Sequence, residues 1–186
     1  ELNTLRGTWL GNSSVALSIW TGRQAGSPCH TKLTLSMSLL ERSLEKAVEL
    51  GGEWLYETRL TGPGAEAAYA RVLSQQKLNM EQQFIQGNSY AAVRAGAHFT
   101  VENALTERVS GVTAYHFLCE LLEKADWAAV GAKFEALREK LLHHAQLTVS
   151  FHGSEAGLDT LRKLLPGSAF AEAERGTACA YTEELT

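Results

Sequence analysis

Residues 66–86 read EAAYARVLSQQKLNMEQQFIQ, and the fold turns on this stretch. Tyr69, Val72, Leu73, Met80 and Phe84 recur at multiples of three and four, the spacing of one face of an amphipathic helix. At about 1.5 Å per residue such a helix runs about 30 Å, enough to cross a small domain. Gly87 and Asn88 break it, and the small-residue run SYAAVRAGAHF follows at 89–99. A polar stretch, 100–110, leads into VTAYHFLCELL at 112–122, which is apolar nearly all round. That last segment is expected to lie buried between other elements. Residues 66–124 therefore predict a mostly helical block.

Outward from the block, the pattern changes period. Residues 2–9 look like the end of a helix stopped near Gly7 or Gly11. Val15, Leu17 and Ile19 alternate, and Leu33, Leu35 and Met37 do so again, so 15–20 and 32–38 predict strands. Between them 21–30 reads as a loop. Ser38 and Glu41 fit a capping box for a helix through Leu40, Leu44, Ala47 and Val48. Gly51-Gly52 is a candidate end for it, although Trp54 and Leu55 keep the phase. The run Thr61-Gly-Pro-Gly64 is a firm break.

After the block, Trp127, Val130, Phe134, Leu137 and Leu141 mark a helix over about 126–143. Leu147, Val149 and Phe151 alternate as a third strand, and 155–165 predicts a short helix closed by Pro166-Gly167. Residues 177–182 are a fourth, weak strand. Few, scattered strands with helices gathered between them indicate the α+β class. An antiparallel or mixed sheet, covered on one face by the helical block, is the expected architecture.

At 186 residues a single domain, 1–186, is the expectation. The formal net charge of −4 and the lack of a Lys/Arg cluster argue against nucleic acid. No apolar run approaches the roughly 18–20 residues of a membrane span. Cys29, Cys119 and Cys179 are odd in number and scattered, the usage of reduced thiols in a cytoplasmic setting. The chain opens on Glu1 with helical spacing already under way, so an excised segment of a longer protein is expected. A processed N-terminus is the alternative.

The residues offer little chemistry. A helical zinc pair needs two His at i and i+4, and none of the six histidines has such a partner. Four residues beyond His98 stands Glu102, and beyond His116, Glu120. The adjacent His143 and His144 point about 100° apart on a helix. His116, Cys119 and Glu120 share a helical face and could supply three ligands, but in the most apolar helix; a buried, satisfied His and Cys is the plainer reading. Burial would also raise the thiol pKa of Cys119, against a thiolate pair with His116.

The Cys29-His30 pair lies in the expected loop and reads as incidental. There is no Gly-x-Ser-x-Gly and no phosphate-cradling Gly loop. Glu41/Glu45 and Glu135/Glu139 sit at helical spacing on polar faces, as solvated charges do. Arg94 and Arg108, in the Gly/Ala-rich middle of the block, are the oddly placed charges, suited to a buried ion pair or a cavity. No catalytic, cofactor-binding or metal residue is assigned.

Two motifs carry a family resemblance. One is Asn88-Ser-Tyr90-Ala91-x-x-Arg94-Ala95, after the long Gln/Lys/Glu helix. The other is Glu107-x-x-Ser110-Gly111-Val-x-x-Tyr115-x-Phe117-Leu118. With these the chain resembles the second half of presequence proteases, a branch of the pitrilysin/insulinase zinc metallopeptidases. Asn88-Ser89 stands where family members often have Gly-His. The flanking elements agree in order, so the resemblance covers most of the chain.

It implies two halves hinged around a closed chamber, with a His-x-x-Glu-His zinc site in the first half and a catalytically silent second half. The last domain of such proteases supplies an Arg and a Tyr near the zinc. Tyr181 follows Arg175-Gly176 here but lacks that context. The chain would be the third of four domains, itself inactive and without zinc, inside a parent zinc metalloendopeptidase that degrades short unfolded peptides. Its partners would be the other domains of the parent chain and the peptide substrate, with a homo-oligomer through an exposed sheet edge as a further outcome. The competing reading is an α+β binding or assembly module with no peptidase role. A third, a small enzyme using His116/Cys119 or Arg94/Arg108, would need those side chains to line an open pocket.

Overall fold

The computed structural model describes residues 2–21, 29–143 and 147–172. In chain order its elements are α1 (Leu2–Trp9), β1 (Asn12–Thr21), β2 (Cys29–Ser38), α2 (Leu44–Gly52), α3 (Pro63–Gln83), α4 (Gly87–Gly96), α5 (Val101–Ser110), α6 (Val112–Lys124), α7 (Trp127–His143) and α8 (Glu155–Leu164). The architecture is α+β, dominated by helices, with β1 and β2 paired antiparallel in a two-stranded sheet.

Contacts divide the described chain into two units. The first holds 2–17, 33–59, 136–143 and 147–172; the second holds 18–21, 29–32 and 60–135.

In the first unit, α1 stops just ahead of Gly11, whose N–H donates to the Ser38 carbonyl at 2.7 Å and closes the open end of the hairpin. Helix α2 lies against β2. A Cβ on Gly51 would meet Leu35 Cδ2 at 3.2 Å and Met37 Cε at 3.3 Å, so the bare glycine lets helix and strand approach. Helix α2 ends at Gly52, where the Gly51-Gly52 pair offered an end. The chain continues into a wide turn, Glu53–Glu57, which sets the Trp54 ring 3.4 Å from the Arg6 guanidinium carbon. Leu44 and Val48 of α2 and Leu161 of α8 form the core, with Leu39, Phe151, Leu164, Leu165 and Phe170 packed around it.

The capping box expected at Ser38 does not form. The short turn Glu41–Ser43 has no side-chain cap. Glu41 instead accepts from the N–H and hydroxyl of Ser154, and Ser154 Oγ accepts from Gly157 N–H at 3.0 Å. The carboxylate thus serves the start of α8, 113 residues away in sequence, because α8 packs on α2. Its negative charge is favourable at a helix N-terminus.

The third strand is a correction. Residues 147–152 form no strand, although Leu147, Val149 and Phe151 alternate as one would. Alternation chooses a face, but a strand also needs a neighbour for its N–H and C=O groups. The two described strands pair with each other, and 147–152 joins neither. Only Phe151 of the three reaches the core; Leu147 and Val149 are half exposed. The weak strand expected at 177–182 lies outside the described residues.

In the second unit, Gly62 turns the chain with φ +93°, a region open to glycine, and Pro63 takes the first helical position of α3. Met80 is the buried residue of the predicted α3 stripe, while Val72 stays exposed. The break at Gly87 is a tight turn, Phe84–Gln86, after which α4 starts at Gly87 itself. The polar stretch 100–110 is also helical: the Thr100 side chain caps α5 by accepting from Asn103 N–H at 3.2 Å. Helix α6 departs from the expected burial, because Leu118 is its buried side chain and Phe117 is 66% exposed. The helix packs on α3 and α5, and Phe117 stays on its outer side.

Candidate functional site

Of the residues that the sequence singles out, Arg94, Glu107, Tyr115 and Cys119 lie at the corner where α3, α4, α5 and α6 meet. Helix α5 packs on α4 and α6, and α3 packs on α6. Glu107 lies in the last turn of α5, where the helix dipole disfavours an acid. It belongs electrostatically to the next helix. Its Oε1 accepts from Thr113 N–H and Thr113 Oγ1, both at 3.1 Å, and so caps the first turn of α6. The same oxygen takes Arg94 Nη1 at 3.2 Å. The pair is lopsided: the Glu107 side chain is 7% exposed and that of Arg94 58%. Glu107 Oε2 is buried without a hydrogen-bond partner among the described residues. It presses on Gly111, where a Cβ would collide with the carboxylate and sit 2.8 Å from the Glu107 Cα.

A second cluster closes the other side of the corner. Tyr115 donates its phenol to Glu81 Oε1 of α3 at 2.7 Å. The Phe84 ring stands edge-on to Tyr115 at 5.0 Å and to Tyr90 at 4.7 Å. Tyr90 donates to Gln83 Oε1 at 2.8 Å. Glu81 also faces Lys77 at 3.6 Å. The hydrogen bond to Glu81, then that to Cys119, holds the Tyr115 phenol above its ordinary pKa. This arrangement ties α3, α4 and α6 together.

His116 is exposed, Cys119 half-buried against Tyr115, and Glu120 exposed. Among the described residues no three of His, Cys, Asp and Glu come close enough to hold a metal ion. The side chains of this corner do not fit a zinc ion. Arg94 is the ion-paired arginine that its position suggested, though at the surface and not in a cavity; Arg108 is exposed at the end of α5. Cys29 and His30 lie in β2, not in a loop, and Cys29 is 1% exposed. Burial, with the Glu102 charge second, pushes the Cys29 thiol up. Cys29 and Cys119 are free thiols. Cys179 and His144 lie outside the described residues.

A groove of about 480 Å³ opens in the first unit between the end of α1 and the turn after β2. Trp9, Leu40 and Arg42 are among its lining residues; His116, Cys119, Arg94 and Arg108 are not. Sequence reasoning missed the role of Glu107. Its signal was an acid in the last helical turn just before a glycine, misplaced for its own helix and well placed for the next.

Residues 1–121, from α1 into α6, match the family described as peptidase M16-C associated. The chain belongs to this peptidase-associated family. No curated protein matches it. The family match includes α3, α4 and α5 and most of α6, and the motif residues Tyr90, Arg94, Glu107, Gly111 and Tyr115 all lie in it. In this peptidase-associated chain those residues touch one another or neighbouring helices, so the motif encodes packing. Helices α7 and α8 fall beyond the match.

Proposed function

We propose that the chain is a non-catalytic section of a zinc-dependent peptidase of the pitrilysin family, of the presequence-protease type. It forms part of the wall of the peptide chamber and contacts the other domains of its parent. The observation that carries this reading is the use of the family motif: Arg94 and Tyr115 are spent on Glu107 and Glu81. Exposed apolar side chains support the interdomain role. Trp20 is 59% exposed, Ile85 90% and Phe99 77%, the kind of surface that a neighbouring domain covers. Zinc belongs to the parent's other half in this reading, and short unfolded peptides are the substrate. Residues 1–186 act as one peptidase-associated section, in the cytoplasm, where the buried Cys29 thiol stays reduced.

The full reading frame is the first test. It is expected to encode a His-x-x-Glu-His upstream of this segment. The full-length protein should hold stoichiometric zinc and cleave short unfolded peptides, and the chain by itself should do neither. Specific, chelator-sensitive cleavage by the chain alone would overturn the proposal, and so would a full reading frame that lacks the zinc motif.

A further inference from the structure

We draw no further inference here: the strongest candidate, the segment 147–152 with its half-exposed Leu147 and Val149, is an unpaired apolar stretch, and nothing in the structure shows what covers it.

Discussion

The Glu107 carboxylate lies directly on Gly111, four residues further along, and turns its other oxygen to the first turn of α6. One helix thereby caps the next across a glycine. Gly111 has φ −88° and ψ −163°, an extended conformation that any residue adopts. Its lack of a side chain matters for space alone.

Replacing Gly111 by Ala is accordingly expected to destabilise the second unit. The new methyl would meet the Glu107 backbone as well as its side chain, so a rotamer change cannot relieve it. Overpacking of this kind costs about 1–3 kcal/mol. Urea unfolding should show a lower midpoint at unchanged slope. A midpoint equal to that of the unsubstituted chain would overturn the tight Glu107–Gly111 contact.

Arg94 and Glu107 should contribute unequally. Arg94→Ala removes a largely exposed partner and is expected to cost under about 1 kcal/mol. Glu107→Ala removes the helix cap and a buried carboxylate together, with an expected loss of about 2 kcal/mol. A double-mutant cycle measures the coupling, which should be small beside the Glu107 effect. Equal single-mutant losses would contradict the capping role.

Ser154→Ala tests the long-range cap of α8. It removes the acceptor of Gly157 N–H and the hydroxyl that meets Glu41. A lost N-cap costs about 1 kcal/mol. Hydrogen exchange of the α8 amides should rise more than that of the α5 amides. Uniform change across both helices would argue against a local cap.

Cys29 should resist alkylation in the folded chain while Cys119 reacts, as read by mass spectrometry after brief labelling. The sign of the pH effect follows from the raised thiol pKa. The neutral thiol is favoured in the folded state, so its stabilisation is complete below the ordinary value of 9.0 and is lost as pH rises through the higher folded value. Stability measured across that alkaline window should fall less in Cys29→Ala than in the unsubstituted chain, once the loss from the substitution itself is subtracted. Rapid labelling of Cys29 at neutral pH would show that the start of β2 is open.

Much of this protein is determined locally. The three-and-four spacing of Tyr69, Leu73 and Met80 specifies α3, since a helix satisfies its own backbone and needs a partner only for its apolar face. The alternation of Leu33, Leu35 and Met37 likewise marks β2, and Gly62-Pro63 marks a helix start. Tertiary structure decided the rest. Whether 147–152 became a strand depended on a neighbour's hydrogen bonds, which no local pattern carries. The burial of α6 depended on how many helices reached it, and those that did left Phe117 outside. Glu41 had two possible helix starts to cap, one three residues away and one beyond a hundred. Packing of α8 on α2 brought the distant one within hydrogen-bond reach.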